Sequence, residues 1–240
     1  PVHGPGTSSG STERARARVM KDWTFQSYGP HAWLVRFGRD LSEETMRRAL
    51  AVARDLEERR PEGLREFTMG YGSVLLECAD DGEAAARWGQ RVLPKLIEAW
   101  RSLEWEAAVT RSVEIPVVYD GEDLGEVARR TGLGVEEVIK CHSGRDYRVW
   151  MLGFAPGFPY LGVLDKVLHL PRRDSPRARI AAGSVAIAGV QTGIYPSESA
   201  GGWHILGRTV RRMFDPGRAE PFLLRPGDTV RFVPVEVDDV

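Results

Sequence analysis

The pattern of apolar and polar positions changes character about halfway along the chain. In the first half, helical spacing over 41–60 and 82–101 alternates with short segments that have the two-residue period of strands. Ser42 is placed to cap the first helix, and Pro94 predicts a kink or a break in the second because proline lacks an amide donor. The apolar stripe of the first helix consists of Met46, Ala49, Leu50, Ala53 and Leu56.

The strands of the first half complete a recognisable order. They are predicted at 23–38 with a turn at Gly29-Pro30, at 64–69, at 73–78 and at 111–118. Up to residue 118 the order is therefore β-α-β-β-α-β, which is typical of a ferredoxin-like sandwich with its helices on one face of an antiparallel sheet.

The second half predicts a different architecture. Two short helices, at about 122–131 and 135–142, precede a region rich in Gly, Pro and β-forming residues. Frequent turns between short strands favour a sandwich or a closed barrel. The strands of this region are predicted near 147–153, 184–189, 204–209 and 229–235.

The sequence thus predicts an α+β protein with three parts. Residues 1–19, rich in Gly, Ser and Pro and then in Arg, are expected to form a flexible N-terminal extension. Residues 20–110 are predicted to form the small α/β domain, and residues 111–240 the β-barrel domain.

Net charge and amino-acid composition argue against several classes of binding partner for this protein. The 240 residues carry a net charge of -1, which gives no electrostatic reason to expect nucleic acid or an anionic membrane as a partner. No apolar run approaches the roughly 20 residues that span a bilayer. The two cysteines are expected to be buried small hydrophobic residues in a reducing cytoplasm. Cys78 and Cys141 do not form a CxxC pair, and no metal site is expected.

Common catalytic motifs are absent from the chain. It has no GxxxxGK[ST] phosphate loop, no HExxH zinc motif and no GxSxG nucleophile elbow. Catalysis by this chain alone through any of these routes is therefore not expected.

Three dense segments carry the candidate chemistry: HSGRDYRVWMLGFAPGFPYLG (142–162), LPRRDSPRARIAAGSVAIAGVQTG (170–193) and QTGIYPSESAGGWHILGRT (191–209). Arginine forks bind carboxylate and phosphate, and amides in Gly turns form anion nests. Packing explains many of the same residues equally well: aromatic side chains in a barrel core or rim, arginines on a solvated face, and His142 as a helix cap. Packing accounts least for Gln191, whose amide needs hydrogen-bond partners wherever it is buried.

The same segments, together with the later PGDTVRF, closely resemble the KipI family, which includes the B subunit of prokaryotic 5-oxoprolinase and proteins labelled allophanate hydrolase subunit 1. The resemblance runs from about residue 23 to 235 and is most specific over 142–209. It implies a small α/β domain followed by a cyclophilin-like β-barrel. The chain departs from the usual motifs at Ala200, at Val210 and at Pro30-His31.

The resemblance also implies partners and a reaction. A KipA-type subunit and a LamB/YcsF-type subunit would complete a hetero-oligomeric enzyme that uses ATP to open 5-oxoproline to glutamate, with this chain inactive alone. Two alternatives stay open, namely inhibition of a sensor histidine kinase by protein contact and one half of a urea carboxylase-like carboxyltransferase module acting with biotin.

On this interpretation we assign expected roles to ten residues. His142 is the candidate for proton transfer, because imidazole titrates near neutral pH. Gln191 and Tyr195 would hydrogen-bond an amide or lactam, while Arg177 and Arg208 would hold carboxylate or phosphate. The expected loop and partner contacts are Phe154, Pro156, Phe158, Tyr160 and Trp203.

Overall fold

Two compact units make up the chain, residues 1–103 and residues 104–240. The structure, a computed structural model, describes residues 18–20, 23–38, 42–103 and 111–236. Of the predicted N-terminal extension, residues 1–17 lie outside the described residues, and residues 18 and 19 belong to the first strand.

The first unit is a five-stranded antiparallel sheet with three helices, in the order β1-β2-β3-β5-β4. Its strands are β1 (Arg18–Met20), β2 (Trp23–Ser27), β3 (Ala32–Arg36), β4 (Leu64–Gly70) and β5 (Ser73–Cys78). Its helices are α1 (Glu43–Glu58), α2 (Gly82–Arg91) and α3 (Leu93–Arg101).

All three helices cover one face of this sheet. Val35 lies opposite Phe25 on β2 and opposite Val74 on β5, so their side chains share a face. These residues belong to one buried cluster with Ala49, Val52 and Leu56 of α1 and with Ile97 of α3. The helix α2 reaches the same face, because the indole nitrogen of Trp33 donates to the Ala85 carbonyl at 3.0 Å.

Two local predictions for the helices are confirmed. Ser42 caps α1, with its side chain accepting a hydrogen bond from the Thr45 amide at 3.2 Å. The stretch 82–101 divides at Val92 into α2 and α3, and Pro94 occupies the first turn of α3, where its missing amide donor costs nothing.

The predicted β-α-β-β-α-β order of the first unit is wrong in its last strand. The strand predicted at 111–118 is β6 (Ser112–Val117), and it pairs in the sheet of the second unit. Its place beside β3 is taken by β2, which comes from the hairpin that opens the described part of the unit. Alternating apolar residues predict a strand, but they do not specify which sheet it joins.

The second unit is built on a seven-stranded sheet in the order β13-β10-β11-β8-β7-β14-β6. Beside β6, its strands are β7 (Asp146–Leu152), β8 (Pro159–Gly162), β10 (Ser184–Ala188), β11 (Gln191–Ile194), β13 (His204–Arg208) and β14 (Thr229–Pro234). A separate two-stranded sheet contains β9 (Arg177–Ile180) and β12 (Ser199–Gly201). The helices are α4 (Leu124–Thr131) and α5 (Val135–Ser143).

The seven strands curl into a nearly closed barrel, which confirms the predicted α+β fold class of a small α/β sheet followed by a barrel. Val118, just beyond β6, exchanges two backbone hydrogen bonds of 2.9 Å with Arg208 at the end of β13. Gly207 permits this closure, because a Cβ atom there would collide with the Val118 carbonyl.

The barrel encloses the larger apolar core of the unit. Every strand of the seven contributes fully buried members to this cluster, such as Ile115, Val149, Leu161, Val185 and Leu206. The helices contribute Leu124, Val127 and Val138 to the same cluster. Val230 and Phe232 of β14 point into it together, as their shared face in the sequence predicts.

Candidate functional site on the outer barrel surface

Five aromatic side chains gather on the outer face of the barrel sheet, where Phe158, Tyr195 and Trp203 are buried in a small apolar cluster and Phe154 is exposed. The ring centroids of neighbouring members lie 5.0–6.3 Å apart, mostly in edge-to-face geometry. We call this group the aromatic patch; it consists of Phe154, Phe158, Tyr160, Tyr195 and Trp203. All five are predicted from the sequence as site or contact residues, and the structure brings them together although they span 50 positions.

The loop between β7 and β8 presents the most exposed ring of the patch. Phe154 has a φ of 65° and is 63% exposed, although side chains rarely adopt positive φ. The loop is held by a hydrogen bond of 3.0 Å from the Phe158 amide to the Ala155 carbonyl, with Pro156 between them. Such a backbone conformation costs about 1–3 kcal/mol. A strained backbone that exposes a large apolar ring is the pattern expected of a binding contact.

Tyr195 forms the floor of the patch. It is almost fully buried, and its hydroxyl lies against Gly201, where any Cβ atom would displace it. Burial raises the pKa of Tyr195, and the hydrogen bond with the Trp203 backbone and the charge of Arg172 offset only part of that rise. The phenol therefore stays protonated at neutral pH and can serve as a hydrogen-bonding group.

Gln191 lies at the start of β11, in register with Gly162 of β8. Its Nε2 atom is buried and has no hydrogen-bond partner among the residues that the structure describes. The indole nitrogen of Trp150 on β7 is in the same situation. The sequence singles out Gln191 as a residue that packing explains poorly, but it does not single out Trp150.

His142 lies inside the barrel rather than on this surface. It is 0% exposed, and the Phe232 ring stacks on it at a centroid distance of 4.6 Å. Burial lowers the pKa of His142 to about 3, so the imidazole is neutral at physiological pH.

Both nitrogens of His142 are engaged. Thr192 donates its hydroxyl proton to the Ala186 carbonyl at 3.0 Å, so it accepts a hydrogen bond from His142 Nε2 at 2.8 Å. His142 Nδ1 then accepts from the Tyr119 hydroxyl at 2.7 Å. Neither nitrogen is left for a substrate, and the geometry gives the predicted proton-transfer role of His142 no support.

Arg177 binds a carboxylate, but that carboxylate belongs to the chain itself. Its two terminal nitrogens contact the two oxygens of Asp123 at 2.7 and 2.9 Å. Asp123, only 3% exposed, also accepts from Arg173 at 2.6 Å and from the Ile205 amide at 2.8 Å. The arrangement ties the start of α4 to β9 and β13.

The pKa of Asp123 reflects this environment. Burial alone would raise the pKa of the carboxyl group, but hydrogen bonds from Arg177 and the Ile205 amide and the charges of Arg177 and Arg173 outweigh burial and lower it. Asp123 is thus ionised at neutral pH, and its partner Arg177 is occupied. Arg208 makes a more exposed pair, donating from Nε to Asp120 at 2.9 Å.

Asp123 is not among the residues predicted from the sequence. Its only local signal is a position just before a helix, while its arginine partners lie 50 and 54 residues further along the chain.

A metal ion has no ready site in the described ranges, because no group of three or more His, Cys, Asp and Glu side chains there could hold one. None of the helices in those ranges has the length and apolar character needed to cross a bilayer.

Comparison of the sequence with known proteins identifies a matching protein family. The sequence profile of the family described as "Carboxyltransferase domain, subdomain C and D" matches residues 23–224. The chain is 39% identical over 228 residues to the B subunit of 5-oxoprolinase from Bacillus subtilis (strain 168), covering 90% of this chain and 95% of that protein. It is 51% identical over 145 residues to the B subunit of 5-oxoprolinase from Escherichia coli O157:H7, covering 59% of this chain and 66% of that protein.

A solved structure is similar as well. The crystal structure of TTHA0988 in space group P212121 matches with a TM-score of 0.72 and 47% identity, covering 85% of this chain. The chain spans only 40% of the length of TTHA0988 and just under two thirds of the length of the Escherichia coli protein, 66%.

Proposed function

Because this chain belongs to the family of carboxyltransferase-domain subdomains C and D and is a homologue of the 5-oxoprolinase B subunit, we propose that it is one subunit of an ATP-dependent 5-oxoprolinase. In this proposal the chain is inactive alone. Its outer barrel surface forms one wall of a site that opens 5-oxoproline to glutamate and that a KipA-type partner completes. A LamB/YcsF-type subunit is the third member of the assembly.

The observation that carries the proposal is the aromatic patch with its strained, exposed Phe154. Exposed aromatic residues in rigid loops are the typical anchors of protein interfaces. Polar groups that can bind a substrate lie beside this anchor, but none of the side chains described around the patch forms a nucleophile–base pair. One subunit of a shared active site must supply groups that bind the substrate and a residue that anchors the partner, and this surface offers both.

Within this site we assign substrate contacts to Gln191 and Tyr195. The protonated Tyr195 phenol and the buried Gln191 amide suit the N–H and C=O groups of a lactam. Arg208 is available for the substrate carboxylate, because its exposed pair with Asp120 is weak enough to exchange. Arg177, held by Asp123, positions β9 instead, and we place no step on His142.

The test is reconstitution. Glutamate released from 5-oxoproline with ATP is measured for this chain alone, for each pair of subunits and for the three candidate subunits together. We expect release only from the full mixture, and a matched reaction without ATP should release none. A stable three-subunit complex that releases no glutamate would refute the proposal.

A second candidate is favoured by the description of the matched family, which is that of a carboxyltransferase domain. In that case the same surface would form half of a module that transfers a carboxyl group with biotin. The reconstituted complex is therefore also assayed for carboxyl transfer from carboxybiotin. Absence of both activities, together with inhibition of a sensor histidine kinase by the chain alone, would favour the regulatory alternative.

A further inference from the structure

The indole N–H of Trp150 is a buried hydrogen-bond donor beside the aromatic patch. The side chain is 3% exposed, and its Nε1 atom has no acceptor within the described ranges. A buried N–H group without an acceptor costs about 1–3 kcal/mol, and most native structures avoid that cost. A donor left in this state beside a binding surface points to a ligand.

The register of three strands brings Gln191 to the same place. Gly162 of β8 lies opposite Gln191 of β11, and a Cβ atom on Gly162 would lie 2.6 Å from Trp150 Nε1. Directly opposed residues have Cβ positions about 4.5–5.5 Å apart. Trp150 Nε1 and Gln191, whose unpartnered nitrogens we call the donor pair, are therefore both immediate neighbours of Gly162.

The donor pair itself selects the kind of ligand atom. The nearby arginines are engaged elsewhere: Arg148, the other register partner of Gly162, donates to the Gly227 carbonyl at 2.8 Å, and Arg145 donates to the Val163 carbonyl at 3.3 Å. Two N–H donors disfavour an amine or a metal ion and attract an acceptor oxygen. Carboxylates are usually bound by charged forks, whereas neutral N–H donors suit a carbonyl oxygen.

The aromatic patch lies on the same face as the donor pair. Tyr160 and Gly162 are two residues apart on β8, so both face outward from the barrel. This spacing corresponds to about 7 Å along the strand. A small ring bound with its carbonyl at the donor pair would thus rest its apolar edge near Tyr160.

We propose that Trp150 Nε1 and Gln191 Nε2 together bind the lactam carbonyl oxygen of the substrate, which makes Trp150 a further binding residue. The ligand assignment rests on the function proposed above, and the geometry of the donor pair does not. Because the Trp150 N–H makes no hydrogen bond within the described part of the free chain, losing it should weaken substrate binding without removing a hydrogen bond of the fold.

The experiment uses the full chain with ¹⁵N-labelled tryptophan, alone and in complex with its unlabelled partners. The indole resonance of Trp150 is assigned from its absence in Trp150→Phe. The probes are 5-oxoproline, 2-pyrrolidone (a lactam without a carboxylate) and L-proline (a carboxylate without a lactam). We expect the Trp150 resonance to shift with the first two probes and to stay fixed with L-proline.

Kinetics of the complex supply a second measurement. Trp150→Phe and Gln191→Met should each raise KM for 5-oxoproline about tenfold, the effect of one lost hydrogen bond of about 1.4 kcal/mol. Gln191→Met, which approximately keeps the side-chain volume, should not lower the melting temperature, whereas Trp150→Phe also loses packing of a buried ring and should lower it. The matched controls are Trp88→Phe and Gln90→Met in the first unit, which should leave KM unchanged.

The outcomes separate this inference from the proposed function. A Trp150 resonance that ignores all probes in a complex that releases glutamate overturns the donor pair and leaves the function standing. A shift with both lactams in a complex that releases no glutamate supports the lactam site and refutes the function. A shift with L-proline but not with 2-pyrrolidone overturns the assignment of the lactam oxygen.

Discussion

His142 should make the barrel unit sensitive to acid through a defined pH window. Its folded pKa of about 3 lies below the value of about 6.5 of an unfolded histidine. On acidification the unfolded chain therefore binds the proton first. The stability associated with the neutral imidazole is fully present above about pH 6.5 and is lost as the pH falls toward about 3.

The loss in free energy of unfolding follows from this difference in pKa. The cost per pH unit rises toward about 1.4 kcal/mol below the unfolded pKa, so the unit should lose roughly 2 kcal/mol between pH 6.5 and pH 4.5. Solvent screening does not reduce this figure, because the side chain is 0% exposed. Carboxyl groups begin to protonate near pH 4.5, because the unfolded values of Asp and Glu lie near 4. Their contribution is common to the wild type and to a variant of His142, so the difference between the two proteins isolates the imidazole.

The assay compares the wild type with His142→Gln in urea at both pH values. Unfolding of the barrel unit is followed by hydrogen exchange in peptides that cover β10. Glutamine can still donate to Thr192 and accept from Tyr119, so the variant should fold, with a lower stability at pH 6.5 and a loss of less than about 1 kcal/mol on acidification. His169→Gln is the matched control, since this half-buried residue lies in the same unit, and it should lose as much as the wild type.

The coupling of His142 protonation to unfolding is refuted if the wild type and His142→Gln lose the same free energy of unfolding between the two pH values. Equal losses would mean that the imidazole is not the group whose protonation is coupled to unfolding. The buried position of His142 between Tyr119 and Thr192 would then be incorrect.

Three further predictions concern single side chains. Asp123→Asn should lower the free energy of unfolding by about 3–5 kcal/mol, because Arg177 and Arg173 lose a buried carboxylate; a urea titration showing less than about 1 kcal/mol would contradict the buried pairing. Leu161→Ala should cost about 2–5 kcal/mol through the cavity it leaves in the barrel core, and calorimetry without a lower melting temperature would argue against that core. Phe154→Gly should relieve the positive φ of this position and weaken binding of the KipA-type partner proposed above about tenfold; unchanged or tighter binding by titration calorimetry would refute the anchor role.

Local sequence signals predict the elements of the fold better than their partners. Ser42 and Pro94 mark a helix start and a helix division correctly because capping and the missing amide act over a few residues. The strand β6 is predictable, but not the strand it pairs with, since its partner β14 is more than 100 residues away. Strands such as β9 and β12 escape prediction because three or four residues are too few to show a period.

In the candidate site, too, local features are predictable from the sequence, whereas contacts between distant residues are not. The proline- and glycine-rich loop predicts a rigid segment that holds its own aromatic residues in place. That Tyr195 and Trp203 meet them follows only from the fold. The roles of Arg177 and His142 were not predictable, because Asp123 and Thr192 are 54 and 50 residues away from them. Residue type specifies what a side chain can bind, but only the fold specifies whether its own chain has already bound it.

The position of β14 in the barrel governs when the second unit can form during synthesis. This strand lies between β6, the first strand of the barrel in the chain, and β7, so it separates two segments made much earlier. The first unit can fold while the ribosome is still translating, but β6 has no neighbour on its parallel side until Pro234 has emerged. Until then its apolar residues stay exposed, and in that interval a chaperone or a bound partner protein would protect the nascent chain from aggregation.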